Sequence, residues 1–357
     1  MKRVESLREL AFEKKSFDCF LITNEANLLY LTGTPGGACL LISEGGESTI
    51  YVYGVNYEQT KSEAKGFKVE LVKRGENLTD RIGPQLEDLK LRKLAADALS
   101  YDAYRLLAKA IRGRVKLKMQ GNLVWQLRKV KDDEEIRRMR KAGEITVAGM
   151  KAASDNIRPG VTEIEVAAEI EYAMRRKGGY GTAFETIVAS GIHSAYPHGG
   201  CADRKIQKGD LVVVDIGGAF EYYKSDMTRT FVAGNPSDRQ KKLYEIVRTA
   251  QEKAHRAIRA NAKGKDVDQV ARKVIEDAGY GQYFNHGLGH GVGLEVHEPP
   301  TLSPVSKDRL VVGNVVTNEP GIYFPDFGGV RIEDSVLVRQ RSGEKLTDGF
   351  YGLEAAR

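Results

Sequence analysis

From Phe17 to Ala98 the chain alternates short apolar runs with polar, glycine-containing breaks. FDCFLIT, ACLLIS, STIYVYG, KVELVK and KLAADA read as strands bounded by turn residues, with SEGGES as a hairpin connection between the second and third. SYDAYRLLAKAIRG carries apolar residues at helical spacing and ends in glycine, which predicts a helix. Together these elements predict a small α/β domain over 1–125. The period then changes. KDDEEIRRMRKAGEITVAGMKAASDNI is led by acidic residues and repeats Ile136, Met139, Gly143, Val147 and Met150 at helical spacing. This predicts one long helix opening a second domain over 126–357.

The second domain carries a faint internal repeat. VTEIEVAAEIEYAMRRKGGYGTAF and KDVDQVARKVIEDAGYGQYF each open on a capping residue and end in Gly-Tyr-Gly followed by a phenylalanine, Phe184 or Phe284. Thr162 with Glu165 forms a capping box, and Asp266 with Gln269 a looser version. Two helix-then-strand units of this kind predict a duplicated, pseudo-symmetric domain with its chemistry between the halves.

Composition narrows the class. A length of 357 residues suits two domains, and 41% hydrophobic with 29% charged residues is an ordinary globular mixture. No apolar run is long enough to span a bilayer, and MKRVESLRELAFEKK has no apolar signal core, so a cytoplasmic protein without membrane attachment is expected. Cys19, Cys39 and Cys201 are isolated and lack CxxC spacing, which argues against disulfides and a zinc knuckle. The net charge of +6 comes from 55 basic against 49 acidic residues. The basic clusters RLLAKAIRGRVKLK and EEIRRMRKAG read foremost as solvated helix faces, with nucleic-acid binding as the lesser alternative, and no nucleic-acid partner is expected.

The candidate chemistry centres on HGLGHGVGLEVHEPP, which holds three of the chain's six histidines. As a phosphate loop it fails, because Pro299-Pro300 forbids the helix a dinucleotide fingerprint needs. Glycines that permit close approach suit a metal centre better, with His290 as a ligand. Four carboxylates accompany it: Asp215 ending an apolar run, Asp226 before an alternating strand, Glu319 before Pro-Gly, and Glu333 inside GGVRIEDSVLV. Thr228 shares a face with Asp226 and can orient a bound carboxylate. Alternatives remain at this level: turn aspartates in a hairpin around Gly217-Gly218, and a cross-strand ion pair of Arg331 with Glu333. Gathered in one interior, four carboxylates would repel strongly unless two divalent cations balanced them. The donor set favours Mn²⁺ or Co²⁺, with Fe²⁺ and Zn²⁺ as further candidates.

LVVVDIGGAFEYYKSDMTRTF, NHGLGHGVGLEVHE, TNEPGIYF and GGVRIEDSVLV closely resemble the metal-site motifs of the Xaa-Pro peptidase family, which includes prolidase and aminopeptidase P. The resemblance runs from about residue 128 to the C-terminus, with a looser likeness of 1–125 to the creatinase/prolidase N-terminal domain. It implies an α+β protein: a pseudo-symmetric pita-bread catalytic domain preceded by a smaller α/β domain. It also implies that Asp215 and Asp226 hold one ion, that Asp226, His290 and Glu319 hold the second, and that Glu333 bridges both. Glu319 would shuttle a proton, His198 and His297 would contact the scissile peptide, and Arg331 would contact the substrate or orient a glutamate. His193, His255 and His286 receive no role. The implied activity is hydrolysis of Xaa-Pro dipeptides by a metal-bridging hydroxide, in a homodimer. Aminopeptidase P activity on longer peptides with proline second is the alternative. Creatinase lacks the ligands, methionine aminopeptidase generally lacks the N-terminal domain, and a non-catalytic binding protein on this scaffold would typically have lost ligands.

Overall fold

The computed structural model describes residues 2–12, 17–88, 90–111, 113 and 115–355. It falls into two compact units, Met1–Arg128 and Lys129–Arg357. The first is built on a six-stranded sheet of β1 (Cys19–Ile22), β2 (Cys39–Ser43), β3 (Thr49–Tyr53), β4 (Lys68–Val72), β5 (Lys93–Ala96) and β6 (Lys116–Met119), in the order β4-β3-β2-β1-β5-β6. The β2–β3 hairpin turns through SEGGES as expected; β1, β5 and β6 run parallel, as do β3 and β4. β1 and β2 are buried along their whole length, so these strands read as continuous apolar runs rather than alternating ones.

The helices of this unit are α1 (Lys2–Phe12), α2 (Glu25–Thr32), α3 (Tyr57–Glu63), α4 (Leu78–Asp88), α5 (Tyr101–Ala110) and α6 (Asn122–Arg128). Ser100 caps the predicted α5. Arg112 and Arg114 of the basic cluster lie outside the described residues. The expected junction at 125 falls inside α6, whose last residue is tied back to the first unit by Arg128 Nη1 donating to Asn27 Oδ1 at 2.7 Å.

The second unit repeats one plan twice. In the first half α7 (Asp133–Asn156) and α8 (Glu163–Arg176) pack on β8 (Ile187–Ser190), β9 (Leu211–Ile216) and β12 (Met227–Val232), antiparallel in the order β12-β9-β8. Beside them lies a small sheet of β7 (Gly181–Thr182), β10 (Gly218–Phe220) and β11 (Tyr223–Lys224). In the second half α9 (Asp238–Ala257) and α10 (Gly264–Asp277) pack over β13 (Gly289–Gly291), β14 (Glu298–Leu302), β15 (Val315–Asn318), β18 (Asp334–Val338) and β19 (Gly343–Lys345). A hairpin of β16 (Gly321–Phe324) and β17 (Gly328–Arg331) completes it. β13–β15–β18 are antiparallel neighbours as β8–β9–β12 are, so the duplication is of helix pair and sheet together.

Three local expectations are corrected. Thr162 and Glu165 do form a capping box, but Asp266 caps nothing: α10 starts at Gly264, whose N–H bonds to Asp308 O at 2.9 Å, and Asp266 lies in the first turn. There its charge complements the helix dipole. The left-handed glycines ending α8 and α10 are Gly178 and Gly279, one position out of step with the Gly-Tyr-Gly match. Glu333 is not inside a strand: β17 ends at Arg331 and β18 begins at Asp334, in different sheets. Between them Ile332 N–H bonds to Pro320 O and Glu333 N–H to Thr228 O, which breaks the run. No helix among the described residues is long and apolar enough to cross a membrane.

Candidate metal centre

Each half of the second unit delivers two carboxylates where an antiparallel strand pair ends. Asp215 lies near the end of β9, opposite Thr228 of β12, and Asp226 immediately precedes β12. Glu319 follows β15 and Glu333 precedes β18, with Asn318 opposite Asp334. His290 is the middle residue of β13, which can press against β15 because Gly289 carries no side chain; a Cβ there would stand 2.2 Å from Thr317 O. All five line one cavity of about 600 Å³, together with His198, His286, His297, Tyr323 and Arg331.

Asp226, His290 and Glu333 each present a ligand atom within 4.8 Å of the other two. His290 Nε2 stands 3.3 Å from Glu319 Oε1 and 3.8 Å from Asp226 Oδ2. Its Nδ1 lies 3.1 Å from Gly291 O, so Nε2 is the nitrogen aimed at the carboxylates. Glu319 Oε1 also accepts from Thr317 Oγ1 at 2.9 Å. Thr228 Oγ1 donates to Glu333 Oε2 at 2.6 Å and accepts from Arg331 Nε at 3.1 Å. Arg331 does not pair with Glu333. Its Nη2 donates to Asp215 Oδ2 at 2.7 Å and its Nη1 to Tyr323 OH at 3.0 Å.

Residues 137–340 match the model of metallopeptidase family M24, and residues 3–130 match the creatinase/prolidase N-terminal domain. The chain belongs to metallopeptidase family M24. It is 41% identical to the Xaa-Pro dipeptidase of Pyrococcus horikoshii over 338 residues, 94% of each chain. Among solved structures, the Xaa-Pro dipeptidase from Bacillus anthracis superposes with a TM-score of 0.93 at 38% identity, covering 99% of both chains. The X-Pro aminopeptidase from Thermotoga maritima superposes with a TM-score of 0.86 at 37% identity, covering 95% of this chain and 98% of that one. Both architectures predicted from the motifs, the pita-bread unit and the creatinase-like unit, are therefore present.

Membership implies divalent metal, and the electrostatics of this M24 metallopeptidase fit it. Burial and the neighbouring charge of Asp215 push the Asp226 carboxyl well above the usual range. Burial, then Asp226, Glu319 and Asp215, do the same to Glu333. Protein cations relieve only part of the repulsion. Burial alone would lower the His290 pKa, but the hydrogen bond and charge of Glu319, with Asp226, raise it to about 9. Burial would raise Glu319, but His290, His286 and Arg331 hold it at about 2. Asp215 Oδ1 is buried with no hydrogen-bond partner among the described residues, an acceptor that a cation would satisfy. Hard oxygen donors with one imidazole suit a divalent ion of the Mn²⁺ or Co²⁺ type.

The histidines divide as follows. The His297 ring lies 4.3 Å from that of His290, and burial followed by His290 and His198 lowers its pKa, which favours the neutral ring. His286 Nε2 is 3.0 Å from Tyr323 OH, which extends the Arg331–Tyr323 contact into a relay around Asp215. His193 (Nδ1 3.7 Å from Glu163) and His255, on α9, do not line the cavity. Tyr323 and Thr317 were not singled out by motif. Thr317 lies two residues before Glu319, so the strand period of β15 was an available signal for it; Tyr323 sits on β16 in another sheet and had none.

Proposed function

We propose that this M24 metallopeptidase hydrolyses Xaa-Pro dipeptides, with Asp215, Asp226, His290, Glu319 and Glu333 holding two divalent ions. The observation that carries this reading is the convergence of those five side chains on one cavity in a chain 41% identical to an Xaa-Pro dipeptidase along nearly its whole length. When bound, the ions supply Lewis-acid polarisation of a peptide carbonyl and acidification of water.

The protein's own groups do the rest. Glu319 moves a proton at Oε1, where Thr317 and His290 fix its orientation. His198 and His297, at the cavity wall, contact the scissile peptide and the oxygen on which charge develops. Arg331 holds Asp215 in place through its 2.7 Å bond, a positioning role. An Xaa-Pro bond has no N–H, so recognition through the carbonyl and the free amine suits it where recognition of an amide N–H cannot. The protein works as a homodimer in this reading, which a solution mass twice that of the chain would support.

A second reading is favoured by one observation. Arg331 is the only lysine or arginine among the described residues lining the cavity, and it is committed to Asp215 and Tyr323. No side-chain cation there is left for a dipeptide's C-terminal carboxylate, which favours removal of the first residue from longer peptides, as in the X-Pro aminopeptidase of similar structure. Hydrolysis of Xaa-Pro dipeptides and Xaa-Pro-Xaa tripeptides, with and without Mn²⁺ or Co²⁺, separates the two. Metal-dependent dipeptide cleavage supports the first; cleavage of tripeptides alone supports the second.

A further inference from the structure

Lys131 Nζ and Glu298 Oε1 are 2.6 Å apart, and each side chain is 1% exposed. Such a pair is unusual company for an active-site loop, because two buried charges gain little over a well-packed apolar pair. Its position is informative. Glu298 opens β14 and immediately follows His297. It stands opposite Gly291 across a ladder whose register shifts at this point, so strand pairing alone fixes this end of the loop poorly. The Glu298 carboxylate folds back over Gly293, where a Cβ would stand 2.4 Å from Oε1, closing the turn from within. Lys131 is itself anchored, its N–H bonding to Gly313 O at 2.9 Å while Asn314 holds Lys129 O at 2.8 Å.

We infer that Lys131 and Glu298 are positioning residues for His297: the buried pair clamps the loop from Val292 to His297 onto the start of the second unit and sets the ring beside His290. The inference rests on His297 meeting the substrate. Neither residue touches the cavity, so neither is catalytic.

The test compares metal-loaded full-length Lys131→Met, Glu298→Gln, the Lys131→Met/Glu298→Gln double variant, His297→Ala, and His297→Ala combined with each single change. The readouts are kcat, KM, melting temperature and the His297 imidazole NMR signal. Lys131→Met removes the ammonium that ties Glu298 to the start of the second unit and lowers kcat on the order of 100-fold, with KM nearly unchanged, as misplacement of a reacting group does. It also shifts the His297 signal. Glu298→Gln, whose amide oxygen can still accept from Lys131, loses less, and the double variant stays as impaired as Lys131→Met because the clamp is missing from both. In the His297→Ala background, Lys131→Met brings no further loss. The inference is overturned if Lys131→Met lowers only the melting temperature, or if its loss multiplies with that of His297→Ala. Full activity of His297→Ala would sink the substrate-contact reading, and the inference with it. An impaired His297→Ala beside an active Lys131→Met would sink the inference alone. Should Lys131→Met not fold, Glu298→Gln with and without His297→Ala decides by the same comparison.

Discussion

Asp226 and Glu333 stand in electrostatic conflict with the carboxylates around them. Both are buried: burial and Asp215 push the Asp226 carboxyl up, burial and Asp226 push Glu333 up, and among the described residues neither bonds to an arginine or lysine. Asp226→Asn and Glu333→Gln should therefore fold normally while losing metal and turnover together. Metal analysis of the purified variants alongside kcat checks this, and near-wild-type turnover at full metal content would count against it. Thr228 acts one bond further out, donating to Glu333 at 2.6 Å. Thr228→Val should weaken metal affinity by about 10- to 100-fold, the usual effect of losing a group that orients a ligand.

The same conflict fixes a pH dependence. A carboxyl whose folded pKa is raised contributes stability below its unfolded value, and that contribution is lost as pH climbs through the folded value. Asp226 and Glu333 behave this way, and His290, raised to about 9, loses its contribution as pH rises through that value. Glu319, lowered to about 2, runs oppositely, its contribution disappearing only as pH falls toward 2. Metal requires the first three to give up their protons. Metal affinity should thus rise with pH, with net proton release on loading that calorimetry in buffers of different ionisation enthalpy can count. A pH-independent affinity would contradict this assignment.

At the scale of elements, the α7 helix opens the catalytic unit on a full capping box between Asp132 and Glu135. Asp132→Ala should cost about 1 kcal/mol, seen as a shifted denaturant midpoint, with kcat intact. Capping of this kind is local chemistry, which is why α7, α8 and the strands β1 to β5 were legible from spacing alone. What was not legible were contacts made across long sequence separations. The start of α10 is set by Asp308, forty-odd residues away in the chain, so Asp266 looked like a cap and is not one. Arg331 and Glu333 share a strand period, yet the chain leaves one sheet and enters another between them, which hands Arg331 to Asp215. The four carboxylates that line the cavity were readable as candidates because each lies at or near an apolar strand end, where a solvated side chain has no reason to be; His290, in the middle of β13, drew notice through its glycine-rich run. Lys131 had no such signal: its partner lies 167 residues further on.

For the whole molecule, duplication explains why the site exists where it does. Two copies of a helix pair on an antiparallel strand trio each bring two strand-end carboxylates to one interior, and β13 adds the imidazole. Neither half alone brings all five side chains to the cavity, so on the proposed reading metal should stabilise only the assembled second unit. Loading should raise the melting temperature with the logarithm of free ion concentration, worth about 2.7 kcal/mol at a hundredfold excess over Kd, and chelation should reverse it. The central claim is that this acidic interior is balanced by paired cations. The most direct measurement is anomalous diffraction from crystals grown with Mn²⁺. Two anomalous peaks enclosed by Asp215, Asp226, His290, Glu319 and Glu333 are predicted, roughly 3.5–4 Å apart. Peaks elsewhere, or those five side chains ordered with no manganese between them, would contradict it.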